Sequence, residues 1–291
     1  MRDRARTTPV RPRELPAARD DLVSELRDPT SMTVRNAVAT GLPELGEALA
    51  DAPLYWVTAD MAALAVHAGE SLPRPAWGAG EAPASSGLMA LDGGIGMMRD
   101  YDADIPVDAV AWTELPGGGY RLAMLTDRSR MLDQARAPVL RRHFLSVPRL
   151  LMMALVHLPG GPDLVDDGHC PDSLGQSIAA AWALMGQPGI ADAQAQPAHA
   201  DARRAYQRAG RPAPDVALVD LRRRPAQPRE SDPAQDAGEG RTWRHRWVVS
   251  GHWRQQPYGP RSALRRPTWV EAHVKGPDDA PLLTRVNVWR A

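Results

Sequence analysis

The chain has 291 residues, which is enough for one large domain or two small ones. It is 43% hydrophobic and 24% charged, a globular composition that excludes a wholly disordered or fibrous protein. The single cysteine, Cys170, excludes an intramolecular disulfide and a zinc site made of several cysteines. No apolar run reaches the roughly 20 residues that cross a bilayer, and the N-terminus has no apolar signal segment. We therefore expect a cytoplasmic protein without a membrane partner.

The N-terminal half is expected to combine short helices and short strands. Residues 1–30 are polar and proline-rich, which predicts a disordered arm that leads into a short helix at Asp20–Arg27. Residues 31–160 are interpreted as an α+β region. Its predicted strands are Leu54–Thr58, Leu88–Leu91, Val107–Glu114 and Tyr120–Thr126, and its predicted helices are Met61–Ala68, Arg128–Arg136 and Val139–Leu158.

Residues 173–291 are interpreted as a second module, in which a helix over 173–186 precedes a small, mainly antiparallel sheet. Residues 222–240 are a polar, proline-containing insertion that we expect to be flexible. The predicted strands of the sheet are Val216–Leu221, Trp243–Gln255, Thr268–Lys275 and Thr284–Arg290. The predicted fold class is α+β, with a basic C-terminal sheet packed on the helix.

The formal net charge is zero, but the charge is unevenly distributed along the chain. From Arg241 to Ala291 ten cationic side chains oppose three carboxylates, which gives this segment a charge of +7. Five of the nine tryptophans fall in the same segment. Cations interleaved with aromatic rings can neutralise phosphates and stack on bases, which indicates a nucleic-acid-binding surface. The alternative is a purely structural twisted sheet, because tryptophan favours strands and arginine stacks over its ring.

Strand alternation places the candidate catalytic residues on polar faces of this sheet. In the first long strand the tryptophans fall on one face, and His252 and Arg254 fall on the other. In the next strand His273 and Lys275 share a face. If the two polar faces coincide, the four side chains converge on one phosphate, where the cations stabilise phosphoryl oxygens and a histidine moves protons. Such a cluster works without a metal or a cofactor.

The same sheet also offers a binding surface without catalysis. Gly251 lies on the tryptophan-bearing side and is expected to let a neighbouring element approach closely, while Trp253 is expected to anchor the strand in the core. The arginines would bind phosphates and the tyrosine would stack a base; the candidate contacts are Arg246, Arg254, Tyr258, Arg265, Arg266 and Lys275. The alternative is a solvated basic face whose histidines bond to the backbone.

Other motifs give weaker signals. The loop 166–172 combines carboxylates with His169 and Cys170, but a tight metal site needs ligands at fixed spacing on regular structure. A nucleophilic Cys170 would need a lowered pKa, which only its position before a helix favours. There is no phosphate loop, dinucleotide fingerprint, HExxH or Gly-x-Ser-x-Gly motif, so the common nucleotide-cofactor and hydrolase classes have no support. We expect no cofactor and no metal.

The segment Arg244–Leu283 resembles the C-terminal signature of a family of uncharacterised proteins common in actinobacteria, some of them carried on phages or mobile elements. The shared pattern is RWxVxGHWRxQ, followed by RPxW and by KGPxxAPL, and it begins here at Arg246, Arg266 and Lys275. The chain departs from the pattern at Glu271, in a stretch that reads Ile-Ala-Pro-His in the relatives. The resemblance implies a phage or mobile-element context and supplies no activity or catalytic residue.

Three functions remain open at this point. The first is a nucleic-acid-binding accessory protein of a phage or mobile element, acting on DNA or RNA through the basic sheet. The second is a small metal-independent nuclease or toxin-like enzyme acting on RNA or a nucleotide, which requires His252, His273 and Lys275 at one phosphate. The third is a protein-interaction module whose sheet docks a partner protein.

Overall fold

The structure, a computed structural model, describes residues 8–31, 41–72, 80–100, 103–134, 138–159, 171–222, 246–277 and 281–283. The chain divides into two units, Met1–Arg222 and Arg223–Ala291. Mixed helices and strands confirm the α+β class. None of the helices within the described ranges is long and apolar enough to cross a membrane.

The first unit contains a mixed sheet of seven strands between helices. Its helices are α1 (Leu15–Arg27), α2 (Leu42–Leu49), α3 (Ala59–Gly69), α4 (Arg128–Gln134), α5 (Pro138–Ser146), α6 (Asp172–Met185) and α7 (Ala200–Arg208). Its strands are β1 (Leu54–Val57), β2 (Ser86–Leu91), β3 (Gly96–Asp100), β4 (Ala103–Val107), β5 (Ala109–Glu114), β6 (Gly119–Asp127), β7 (Leu150–Pro159), β8 (Ala191–Gln196) and β9 (Val216–Leu221).

The strand order in the large sheet is β7-β6-β5-β2-β1-β9-β8. The central strand β1 runs parallel to both β2 and β9, and the other neighbouring pairs are antiparallel. Strands β3 and β4 form a separate antiparallel hairpin between β2 and β5 in the chain. The step from β1 through α3 to β2 is a β-α-β connection, which the parallel pairing requires.

Helices cover both faces of this sheet. On one face Leu22 and Leu26 of α1 and Leu45 of α2 are buried in one cluster with Leu88 and Ala111 of the strands. Burying the apolar side of each helix against the sheet is the main source of stability for such a layer.

The other face carries α3 and α6, which pack closely on each other. A Cβ at Gly69 of α3 would lie 2.9 Å from the backbone of Ser177 in α6, so glycine allows this approach. Trp182 of α6 reaches the sheet, where its ring centroid lies 5.2 Å from those of Trp112 and Tyr120.

The N-terminal segment differs from the predicted disordered arm. Helix α1 begins at Leu15, and Leu15, Leu22 and Leu26 are at most 1% exposed. Their spacing places them on one helix face, and Pro16 is tolerated in the first turn. Residues 1–30 are rich in proline and arginine, so their overall composition predicts disorder and does not reveal this apolar stripe. Residues 1–7 of the arm lie outside the described residues.

The predicted helix Val139–Leu158 is only partly correct. Helix α5 ends at Ser146, and from Leu150 the chain is strand β7, which pairs antiparallel with β6 so that Tyr120 lies opposite Leu158. A short, continuously apolar run has no periodicity that separates a buried strand from a buried helix.

The unit boundary also lies elsewhere than predicted. Strand β9 pairs with β1 and β8 in the large sheet, so Val216–Leu221 does not belong to the C-terminal sheet. Helix α6 contacts α3, β3 and β8 of the first unit. Residues 171–222 thus complete the first unit rather than open the second, and the predicted insertion lies outside the described residues beyond Arg222.

A buried guanidinium ties α1 to the rest of the first unit. Arg19 is 1% exposed and donates hydrogen bonds to the carbonyl oxygen of Ala52 (3.1 Å) and to the hydroxyl of Tyr206 (2.7 Å). It also pairs with the Asp20 carboxylate at 3.2 Å. These contacts join α1, the turn before β1 and α7.

Replacing Arg19 by methionine should lower the free energy of unfolding by about 2–4 kcal/mol, because two buried acceptors lose their donor. Urea unfolding measures the change. Arg27→Met is the matched control on the same helix, since Arg27 pairs with Glu47 at the surface and such pairs contribute about 1 kcal/mol or less. Equal losses in the two variants would contradict the role given to Arg19.

Burial, with a contribution from Asp20, raises the pKa of Tyr206 from 10.0 to about 12. Between these values the unfolded chain releases the phenolic proton while the folded chain keeps it, so stability should fall as the pH rises from 10 towards 12. Unfolding measured across this range should show a shallower fall in Tyr206→Phe. Some slope should persist, because burial also raises the pKa values of Tyr55 and Tyr120. Identical slopes in the two proteins would refute the assignment.

Candidate nucleic-acid interface

The described residues of the second unit form strands only, apart from one short turn of 3-10 helix at Pro260–Ser262. The strands are β10 (Arg246–Val249), β11 (His252–Tyr258), β12 (Leu264–Val270), β13 (His273–Lys275) and β14 (Leu282–Leu283). Each of the two predicted long strands is therefore interrupted once. The predicted strand Thr284–Arg290 lies outside the described residues, as do Trp243 to His245.

These strands form two small sheets, one of order β13-β10-β14 and one of β11 with β12. Val249 of β10 lies opposite His273 of β13, and His252 of β11 lies opposite Val270 of β12. Two residues separate the sheets on each strand. Within a sheet, side chains alternate between faces along a strand, and directly opposed residues share a face.

The register of β11 with β12 defines the two faces of their sheet. The arginine face consists of His252, Arg254, Gln256, Tyr258, Leu264, Arg266, Thr268 and Val270. The tryptophan face consists of Trp253, Gln255, Pro257, Arg265, Pro267 and Trp269.

Trp269 is the buried anchor of the tryptophan face. It is 5% exposed and packs edge to face against its cross-strand partner Trp253 at 5.3 Å. A Cβ at Gly251 would lie only 2.5 Å from Cζ2 of Trp269, which confirms the close approach expected at this glycine. Trp253, the anchor predicted from the sequence, is only half-buried.

The four catalytic candidates belong to two separate sheets. His252 and Arg254 lie in β11 of the two-stranded sheet, whereas His273 and Lys275 lie in β13 of the three-stranded sheet. Each histidine contacts its own strand, since its Nδ1 lies 3.0 Å from the carbonyl oxygen two residues earlier, that of Ser250 or Glu271. The convergence of the four side chains on one phosphate stays a prediction.

The candidate nucleic-acid contacts are divided in the same manner. Arg254, Tyr258 and Arg266 share the arginine face, whereas Arg246 and Lys275 lie in the three-stranded sheet. Arg265 belongs to the tryptophan face, and its guanidinium donates to the carbonyl oxygens of Ser262 and Leu264 in the hairpin turn.

Side chains on the arginine face are held in place yet open to solvent. The Arg266 guanidinium carbon lies 5.5 Å from the centroid of the Tyr258 ring, a cation–π distance, and Tyr258 is 42% exposed. Arg254 donates to the side-chain oxygen of Gln256 along the same strand. A tyrosine ring and two guanidinium groups thus lie together on a rigid pair of strands.

The charge of the face is of one sign. Residues 246–277 contain six cationic side chains and one carboxylate, Glu271. Glu271 lies between β12 and β13, outside both sheets, so the arginine face has no acidic group. The acidic departure from the family pattern therefore leaves this face basic.

Sequence reasoning missed the exposed apolar residues of this unit. Val248 and Val274 lie directly opposite each other and are 56% and 51% exposed, and Leu264 is 49% exposed. Along its strand, each of these residues is followed by a residue of the opposite face, so strand alternation alone could have placed it on an exposed face. The tryptophans are the more prominent pattern in the sequence, and they lie on the opposite side of these strands.

The carboxylate, histidine and thiol loop lies almost wholly outside the described residues, which resume at Pro171. Asp172 is the first residue of α6. Within the described ranges no three His, Cys, Asp or Glu side chains are grouped to hold a metal ion.

Comparison of the sequence with models of protein families gives no match. Comparison with curated proteins gives no significant match either.

Gly251→Ala should destabilise the hairpin by about 1–3 kcal/mol, the usual cost of overpacking, because the new methyl group would displace the Trp269 indole. Amide hydrogen exchange of residues 252–270 in the full chain measures the effect. Ser250→Ala, at the exposed neighbouring position, is the control and should leave exchange unchanged. Unchanged exchange in Gly251→Ala would show that Trp269 does not lie over this glycine.

Proposed function

We propose that the protein is a nucleic-acid-binding accessory protein that holds a single strand of DNA or RNA on the arginine face of its C-terminal hairpin. The observation that carries the proposal is the grouping of Arg254, Arg266 and the exposed Tyr258 on one face without a carboxylate in residues 246–277.

Each component has a role in such binding. Arg254 and Arg266 would bind phosphate oxygens, for which a guanidinium has the matching two-donor geometry. Tyr258 would stack on a base, and Arg266 already lies near its ring, so the cation would sit beside the stacked base. Exposed Leu264, which lies opposite Tyr258, would lie against sugars and base edges. A single strand is favoured because its bases are available for stacking.

The resemblance of Arg244–Leu283 to proteins of actinobacteria, some of them carried on phages or mobile elements, supports a role in the cytoplasmic handling of such nucleic acid. The matched pattern includes Arg254 and Arg266, the two arginines of the arginine face. Those residues are the ones on which the proposal depends.

Catalysis at this site finds no support in the geometry. A metal-independent nuclease needs an acid, a base and a cation at one phosphate. His252 lies in the two-stranded sheet, and His273 and Lys275 lie in the separate three-stranded sheet. Nucleic-acid binding, which needs no such convergence, therefore explains the cationic residues better than catalysis does.

A protein partner is the second candidate, and one observation favours it. Val248 and Val274 form a directly opposed pair in the three-stranded sheet, each more than half exposed. Exposed apolar pairs of this kind occur where proteins dock.

The central test compares two double variants that remove the same charge. Arg254→Ala/Arg266→Ala should weaken binding of a labelled single strand of about 15 nucleotides at least tenfold. It should also reduce the slope of log K against log salt by about 0.7 for each phosphate that the protein no longer neutralises. Fluorescence anisotropy over a salt series measures both quantities.

Arg265→Ala/Lys275→Ala is the matched control, because both residues are exposed but lie off the arginine face, Arg265 on the opposite face and Lys275 in the other sheet. It should change affinity by only about threefold, since distant surface charges are screened. Equal losses in the two double variants would contradict a specific face. Tight binding that resists salt and disappears in Val248→Ser/Val274→Ser would favour the protein-docking candidate.

A further inference from the structure

A cavity of about 440 Å³ opens in the first unit, on the face of the large sheet that carries α6. Its floor is formed by three adjacent strands, with Tyr55 of β1 opposite Ala217 of β9, and Ala193 of β8 opposite Val219 of β9. The two alanines project only methyl groups, so the sheet is left partly uncovered here. The volume is in the range of sites for small organic molecules.

Aromatic rings form one wall of this cavity. Tyr55 and Trp182 both line it. Trp112 lies behind them, stacked on Tyr55 at 5.9 Å and 5.2 Å from Trp182. This packing holds the two lining rings in fixed positions, so the wall is formed before any ligand arrives.

The opposite wall is the loop before β2, and hydrogen bonds hold it. The indole of Trp112 donates to the carbonyl oxygen of Ala84 at 2.8 Å. The backbone N–H of Ala82 donates to the hydroxyl of Tyr120 at 3.1 Å. The loop therefore keeps Glu81 at the cavity, where it is the only charged residue among the described residues of the lining.

The Glu81 side chain is exposed at the rim of the cavity, and partial burial there raises the pKa of its carboxyl. A carboxylate without a cation among the described lining residues, at a cavity with fixed aromatic rings, attracts a positively charged group.

We propose that this cavity binds a small organic amine, with the ammonium group at Glu81 and the apolar part between Tyr55 and Trp182 over the alanine floor. The ammonium would donate charge-assisted hydrogen bonds to the carboxylate and lie near the ring faces. Met185, Pro83 and Val219 would surround the apolar part. The site lies in the first unit and does not depend on the hairpin or on its nucleic-acid binding.

Isothermal titration of the full chain with 2-phenylethylamine and with its neutral analogue 2-phenylethanol tests the proposal. The amine should bind with saturation and at least tenfold more tightly than the alcohol, since hydrogen bonds to a charged group are the stronger ones. Glu81→Gln should remove this preference. Glu44→Gln, an exposed change on α2 at the other face of the sheet, should keep it.

A second variant tests the location independently of charge. Ala217→Leu places three more carbon atoms on the cavity floor and should abolish binding of both probes, whereas Ala217→Ser should keep the preference for the amine. Thermal unfolding of each variant verifies that the first unit is folded. The proposal is overturned if the amine does not saturate, if Glu81→Gln keeps the preference, or if folded Ala217→Leu binds as the parent does.

Discussion

The packing of the Trp269 indole over Gly251 is the contact on which the geometry of the second unit depends. An isolated β-hairpin is marginally stable, and Trp269 is the only buried side chain among the described residues of this unit. A slip of one residue would move every side chain to the other face. The Trp269 indole fits over Gly251 because glycine has no Cβ for it to meet. This contact therefore favours the observed register over registers shifted by one residue.

The register in turn decides which chemistry is available. With Trp253 opposite Trp269, Arg254 and Arg266 fall on the same face as Tyr258. A slip of one residue would move the side chains of the slipped strand to the other face and would separate the two arginines. The grouping on which the proposed binding depends therefore rests on this register.

Parts of this account could be predicted from the sequence because they depend on local patterns. Strand alternation identifies Arg254 and Trp253 as residues of opposite faces, and a glycine amid tryptophans indicates a close approach at Gly251. Pairing between distant segments could not be predicted in this way. Strand β9 joins β1 across more than 150 residues, a partnership that no local pattern of Val216–Leu221 reveals. The division of the two predicted long strands between two small sheets depends on an interruption in each of them.

The most direct test of the arginine face is to locate a bound strand on the protein. A single-stranded oligonucleotide that carries 4-thiouridine is photo-cross-linked to the full chain, and the modified residues are identified by mass spectrometry. The account predicts cross-links at Tyr258 and its neighbours on the arginine face, His252 and Arg266. Cross-links concentrated at Trp247, Trp253 and Lys275, or in the first unit, would contradict it.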